Sequence, residues 1–301
     1  MSTQLTIKSL PPYLFPTSSL TLSNIKNVTV LFGKNGSGKS EILRNIAQAN
    51  PQNCHYCNPE KAGIFAHNFG LLEQELSPDR TKHRGRNINE NYYSQVLTRI
   101  QAFFTKRGAW VDNTIPPPVS HLDLEKILRF LLPDKNISLI DQQPFFKIEG
   151  IDLNNLSSGE RQILGTGIDI LTVAGIWKLE KRENSILLVD EPDAHLHPDL
   201  HINLALFLKK IVDDFNVQII IATHSTTLLA AIGHCLVDQM SIVYLKRGNE
   251  NQTAINFSAI QKELASVLGG HALMGPLFSV PILLVEGDDD YRIWSQVPRH
   301  H

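Results

Sequence analysis

The 301-residue chain contains only three cysteines and lacks a long apolar segment. So few cysteines are consistent with reduced thiols in a cytosolic fold rather than with a disulfide framework. No apolar run approaches the roughly 20 residues that cross a bilayer, and residues 1–8 lack the basic and apolar regions of a secretory leader. We therefore expect a soluble, cytoplasmic protein with no membrane partner.

An excess of charge is also missing, because 28 Lys and Arg residues face 30 Asp and Glu residues. No global positive field favours nucleic acid or an anionic membrane, although a local basic patch stays open. The chain has no internal repeat, low-complexity tract or useful coiled-coil heptad. Its length allows one large α/β domain, alone or with appendages.

What the chain does contain is a phosphate-binding loop, since residues 33–40 read GKNGSGKS. An apolar, strand-like run at 28–32 precedes it and a helix-like segment at 41–46 follows, which is the order that this motif requires. Glycines let backbone N–H groups turn inward at a helix N-terminus, where they bind anions. Lys39 is expected to reach the β- and γ-phosphates and Ser40 to supply an oxygen to Mg²⁺. The predicted ATP-binding residues are Asn35, Gly36, Ser37, Gly38, Lys39, Ser40 and Glu41.

Candidate catalytic and metal-binding residues follow two further predicted strands. The apolar run 186–189 leads into Asp190 and Glu191, of which Asp190 is predicted to orient Mg²⁺ and Glu191 to polarise the attacking water. The next apolar run, 217–221, leads to His224, which can hydrogen-bond a γ-phosphate. Taken alone, the acids could be an exposed strand end and the histidine a structural residue. After a phosphate loop, catalytic roles are favoured for Glu191 and His224.

Residues 156–161 read LSSGER and lead into a helical pattern at 159–181. This segment resembles the signature sequence of the ABC-type ATPases, at Ser157, Ser158, Gly159 and Glu160. The resemblance implies that these residues hold the γ-phosphate of an ATP bound by another subunit, so that two chains close head to tail as a homodimer around two ATP molecules.

A narrower resemblance comes from residues 190–198, DEPDAHLHP, which are similar to the RecF, SMC-related and OLD (overcoming lysogenization defect) ATPases. It implies turn or dimer-contact roles for His195 and His197, with metal ligation as the alternative. Cys54 and Cys57 are interpreted in the same two ways, as ordinary thiols or as half of a zinc site for which no second ligand pair is evident. The Q-loop glutamine of the family is not obvious, and Tyr13 and Phe15 are either adenine contacts or core residues.

Near the C-terminus, residues 283–290 read LLVEGDDD and resemble the first motif of a Toprim domain. The resemblance implies that Glu286, Asp288 and Asp290 hold divalent metals for phosphodiester cleavage. The later paired aspartates of such domains are absent from the 15 residues after Glu286. The natural protein is longer, or the missing acids come from elsewhere, or the match is only a charged strand end.

These observations predict an α/β fold, an ABC-type P-loop ATPase with a mixed, largely parallel sheet. The ATPase domain is expected over 1–280, with a helical lobe at about 79–165, and an incomplete Toprim-like segment over 281–301. The expected function is Mg-ATP binding and hydrolysis coupled to head-to-tail dimerisation, which controls a DNA-directed activity such as that of an OLD-type nuclease in anti-phage defence. The expected partners are DNA and a nuclease or effector subunit. The alternatives are the ATP-binding subunit of a transporter and an ATP-gated scaffold or sensor. Strands are predicted at 4–9, 19–32, 145–149, 186–189, 217–221 and 242–245, and helices at 91–106, 121–132 and 159–181.

Overall fold

The structure, a computed structural model, describes residues 4–58, 69–77, 92–108, 121–142, 145–149, 156–245 and 248–257. Its strands are β1 (Gln4–Lys8), β2 (Ser19–Ser23), β3 (Val28–Phe32), β4 (Cys54–Cys57), β5 (Ser138–Gln142), β6 (Phe145–Glu149), β7 (Ile186–Asp190), β8 (Gln218–Thr223), β9 (Met240–Tyr244), β10 (Asn251–Thr253) and β11 (Ile255–Asn256). Its helices are α1 (Lys39–Ala49), α2 (Phe69–Leu76), α3 (Tyr92–Gly108), α4 (His121–Leu128), α5 (Ser158–Leu179), α6 (Pro198–Phe215) and α7 (Thr226–Cys235).

The central sheet has the strand order β11-β9-β3-β8-β7-β4. The strands from β9 to β4 pair in parallel, and β11 runs antiparallel to β9. Parallel strands place their carboxyl ends at one edge of the sheet, where ligands bind in α/β folds. The phosphate loop after β3, Asp190 at the end of β7 and Thr223 at the end of β8 therefore share that edge.

Both faces of this sheet are buried, which explains the continuous apolar runs of β7 and β8. Successive side chains alternate between two core clusters, because the side-chain period of a strand is two. Leu187 and Val189 join the cluster that contains α5 and α6, while Ile186 and Leu188 join the one that contains α1. The sheet is thus held between helices on one side and α1 with the small β1-β2-β10 sheet on the other.

Helix α5 runs for 22 residues and is buried on nearly all sides, as expected for a helix enclosed by a core. It packs against α3 and α6 and joins the lobe to the sheet. Within the described ranges, no helix combines the length and the hydrophobicity needed to cross a membrane.

Most predicted elements are confirmed, and two differ. Residues 19–32 form two strands in different sheets, because the chain turns between them at Asn24, whose φ of 58° is left-handed. The predicted helical lobe also contains an antiparallel strand pair, β5 and β6. The Toprim-like segment 281–301 lies outside the described residues.

Candidate functional site

The phosphate loop connects β3 to α1 through backbone conformations that favour glycine. Gly36 and Gly38 have φ values of 74° and 97°, and Gly38 caps the N-terminus of α1. A Cβ at Gly38 would also lie 3.0 Å from Leu14 Cδ1. The helix start therefore meets the loop with its unpaired N–H groups, which is the arrangement that binds phosphate.

Lys39 is buried, and oxygen atoms surround its ammonium group. Its Nζ donates to the carbonyl oxygens of Gly33 at 2.9 Å and Lys34 at 3.3 Å, and lies 3.4 Å from Glu191 Oε1. A buried ammonium needs such partners, because an unpaired charge is costly away from water. Phosphate oxygens can replace the Glu191 carboxylate, since they offer the same negative charge to the same donor.

Asp190 ends β7 with a carboxylate that is only 3% exposed and bonded on both oxygens. Ser40 Oγ donates to Oδ1 at 3.0 Å, and the Tyr56 hydroxyl donates to Oδ2 at 2.6 Å. Burial and the neighbouring Asp190 carboxylate raise the pKa of Tyr56, so its phenol keeps its proton. A serine hydroxyl beside a carboxylate is the hard-oxygen set that Mg²⁺ prefers, and these two residues fit the predicted metal.

Glu191 follows Asp190 but turns away from it, with a left-handed φ of 46°. One carboxylate oxygen faces Lys39, and the other lies 2.5 Å from His224 Nδ1. Burial raises the pKa of Glu191, although His224 and Lys39 oppose this effect. A carboxylate with a raised pKa is a better proton acceptor, as a group that activates water should be.

The remaining predicted ATP residues line the loop and the first turn of α1. Asn35 and Gly36 are exposed, whereas Ser37 is buried with no hydrogen-bond partner for its Oγ among the described residues. Glu41 interacts within its own helix, with Arg44 at 3.6 Å and Asn45 at 3.1 Å.

The predicted signature lies at the start of α5 and is not joined to the chain's own phosphate loop. Ser157 caps the helix in a reciprocal box with Glu160, whose pKa is lowered by hydrogen bonds from Ser157. Glu160 also pairs with Lys135 at 3.3 Å. Ser157 and Ser158 are exposed, and Gly159 is buried against His195. Within the described part of the chain, none of these signature residues bonds to residues 33–41.

The loop after β7 contains two exposed histidines, which lie in different local structures. His195 has a left-handed φ of 64°, and His197 caps α6 by accepting a hydrogen bond from the Asp199 N–H. His197 thus has a capping role at the start of α6, and the turn and dimer-contact roles of this segment stay predictions.

Metal-ligand geometry occurs elsewhere, at Glu191, Asp193 and His224, whose ligand atoms lie within 4.8 Å of one another. Cys54 and Cys57 belong to no such group within the ranges the structure describes, and both thiols are buried. Burial raises the pKa of the Cys54 thiol to about 12, which disfavours the thiolate that zinc binds.

Sequence analysis missed Tyr56 and Arg44. Tyr56 donates to Asp190, and the positive charge of Arg44 on α1 acts on the Tyr56 side chain. Their role depends on β4 lying beside β7, and no local pattern in the sequence specifies that neighbour. Phe15 is fully buried in the core, whereas Tyr13 is 79% exposed next to Leu14, which packs on Gly38.

The fold is that of an ABC-type P-loop ATPase: a phosphate loop on a largely parallel sheet, the Ser157-capped helix α5 and an Asp190–Glu191 pair at a strand end. The chain belongs to the family described as AAA ATPase domain, whose model matches residues 71–229.

Known proteins of similar sequence include two relatives that each match about two thirds of this chain or more. An uncharacterized ABC transporter ATP-binding protein of Methanocaldococcus jannaschii is 24% identical and aligns with 73% of this chain and 64% of its own length. Protein ea59 of Escherichia phage lambda is 36% identical, over 68% of this chain and 47% of its own. The chain thus spans between about half and two thirds of these relatives. A solved SMC head bound to the C-terminal winged-helix domain of ScpA has a TM-score of 0.47 and 16% identity, covering 86% of this chain and 99% of that one.

Proposed function

We propose that this chain binds and hydrolyses Mg-ATP, and that hydrolysis is completed by a second copy of the chain. Lys39 and the loop amides hold the β- and γ-phosphates, while Ser40 and Asp190 hold Mg²⁺. Glu191 accepts a proton from the attacking water, and His224 contacts the γ-phosphate. Mg²⁺ supplies charge neutralisation of the phosphates when bound.

One observation carries the proposal of a composite site. The start of α5 presents two exposed serine residues at a positive helix end, yet within the described ranges neither serine bonds the phosphate loop of its own chain. A helix N-terminus with exposed hydroxyls binds phosphate. In a two-fold dimer, each chain offers its signature to the loop of the other, so the same pair of contacts forms twice.

Complementation between two inactive variants tests this arrangement. Lys39→Ala removes the phosphate contact. Ser158→Asp places a carboxylate where the partner's phosphate is expected, at a helix start that tolerates acids. Each variant alone should hydrolyse ATP poorly. An equal mixture should recover about a quarter of wild-type activity, because half of the dimers are mixed and each mixed dimer has one intact site of two.

The matched control is Ser158→Asn, which changes the size of the side chain without adding charge. It should retain more activity than Ser158→Asp. A mixture of Lys39→Ala and Ser158→Asp that stays inactive would refute the composite site. Unchanged ATP affinity of Lys39→Ala would refute the assignment of the phosphate loop itself.

We further propose that the ATP-driven dimer controls a DNA-directed activity of the OLD type, with an ATPase domain over 1–280 and a Toprim-like segment from 281. The support is the DEPDAHLHP loop and the acids Glu286, Asp288 and Asp290. The test is ATP hydrolysis with and without double-stranded DNA. Stimulation by DNA that is lost at high salt supports the proposal, and a rate independent of DNA contradicts it.

The second candidate is the ATP-binding subunit of a transporter. The M. jannaschii relative, described as an ABC transporter ATP-binding protein, favours it. This candidate requires a membrane protein partner, so co-purification with one would support it.

A third candidate is a sensor in which the ATP-bound dimer acts with little turnover. Glu191→Gln separates it from an active ATPase. If wild type and Glu191→Gln both dimerise with ATP and turn over equally slowly, the dimer is a scaffold.

A further inference from the structure

Tyr56 reaches the predicted magnesium site from a neighbouring strand. β4 pairs in parallel with β7, and the register places Tyr56 opposite Leu188. Asp190 lies two residues beyond Leu188 and so on the same face of the sheet. The long tyrosine side chain spans this step and brings its hydroxyl to 2.6 Å from Asp190 Oδ2.

The two hydrogen bonds of Asp190 fix the plane of its carboxylate. Ser40 donates to one oxygen and Tyr56 to the other, so rotation about the last side-chain bond would break at least one of these bonds. Each oxygen keeps a further lone pair, because a carboxylate offers about four acceptor sites. The free lone pairs therefore have a fixed direction.

Arg44, on helix α1 that packs against β4, places its positive charge near the Tyr56 side chain. An ionised carboxylate can only accept, so the Tyr56 O–H is the donor in its bond to Asp190.

We propose that Tyr56 is a positioning residue for magnesium: it aims the Asp190 carboxylate at the water shell of the Mg²⁺ that accompanies ATP. The inference rests on the Mg-ATP site proposed above and adds a residue to it. Partners of metal ligands orient those ligands, and their loss costs about 10- to 100-fold in metal affinity or activity.

The experiment measures the gain in nucleotide affinity that Mg²⁺ provides. Calorimetric titrations with the non-hydrolysable analogue AMP-PNP, in EDTA and in excess MgCl₂, give this gain for the wild type and for Tyr56→Phe. The phenylalanine keeps the ring and removes the hydroxyl. We expect unchanged affinity in EDTA and a gain from Mg²⁺ that is about 10-fold smaller than in the wild type.

The matched control is Tyr244→Phe, which removes another phenol at an end of the same sheet, one that does not contact Asp190. It should keep the wild-type gain. An equal loss of affinity with and without Mg²⁺ in Tyr56→Phe would indicate a merely structural role and overturn the inference. A wild-type gain in Tyr56→Phe would overturn it as well.

Arg44→Met provides a second variant, because the Arg44 side chain on α1 is half-exposed and its replacement should cost little stability. In this variant, the gain in nucleotide affinity that Mg²⁺ provides should fall by a smaller factor, about threefold. Should Tyr56→Phe fail to fold, an unchanged gain in Arg44→Met overturns the inference. If the wild type itself gains nothing from Mg²⁺, the proposed function fails and the inference fails with it.

Discussion

Replacing Arg99 by methionine should destabilise the chain strongly, because Arg99 compensates a charge buried between α3, α5 and β4. Arg99 in α3 is fully buried and pairs with the equally buried Asp169 of α5. Its guanidinium also bonds Glu75 at 3.2 Å and Gln95 at 2.9 Å. His55 lies 3.0 Å from the same oxygen of Asp169.

Replacing Arg99 and replacing Asp169 should not cost the same free energy of unfolding. Burial alone would raise the pKa of Asp169, but Arg99 and His55 hold it well below its usual range. Without Arg99, the buried carboxylate keeps only the bond to His55 among its two described partners, and breaking such a pair costs about 3–5 kcal/mol. Asp169→Asn leaves Arg99 with the acceptors of Glu75 and Gln95, so its cost should be about 1–3 kcal/mol.

Urea unfolding followed by circular dichroism at neutral pH measures both losses. Arg129→Met, at an exposed position, is the matched control and should change the unfolding free energy by less than about 0.5 kcal/mol. In the Asp169→Asn background, Arg99→Met should cost at least about 1 kcal/mol less than in the wild type, because the two residues are coupled. The reasoning is wrong if Arg99→Met costs no more than Asp169→Asn, or if the two losses simply add.

Three further predictions concern single positions. Burial lowers the pKa of His201, so the folded state resists the proton that the unfolded chain takes up below about pH 6.5. The urea midpoint should therefore fall more with acidification in the wild type than in His201→Gln, and equal falls in the two proteins would contradict this. Gly233→Ala should lower the thermal midpoint despite lying inside a helix, because its Cβ would lie 2.2 Å from the Phe257 ring; a higher midpoint would contradict the packing. Gly38→Ala should weaken ATP binding in a calorimetric titration, because its φ is +97° and its Cβ would lie 3.0 Å from Leu14; unchanged affinity would show that the loop accepts a side chain.

The phosphate loop and the Asp190–Glu191 pair were predictable because each is written in a few consecutive residues. Their chemistry is local: glycines for a turn, a helix start for anions, two acids at a strand end. The edge that they share also followed from sequence, since alternating strands and helices predict a parallel sheet. The break between β2 and β3 was less predictable, because it depends on one left-handed residue, Asn24.

The contacts across β4 were not predictable in the same way. Cys54 and Cys57 drew attention as possible metal ligands, yet the polar contacts to the functional site and the lobe come from His55 and Tyr56 between them. Asp169 lies in an apolar helix, and no pattern in the neighbouring sequence indicates that it pairs with Arg99. Such pairs depend on strand order and helix packing, which one sequence does not specify.

His55 and Tyr56, neighbours in β4, contact two different regions of the fold. Because they are successive residues of a strand, their side chains lie on opposite faces of the sheet. Tyr56 bonds the predicted magnesium ligand Asp190, and His55 bonds Asp169, whose charge Arg99 of the lobe compensates. One peptide unit therefore separates a contact of the nucleotide site from a contact of the lobe. If α3 and α5 shift and move His55, either the peptide unit between His55 and Tyr56 deforms or Tyr56 moves as well. The pairing of β4 with β7 restrains that peptide unit.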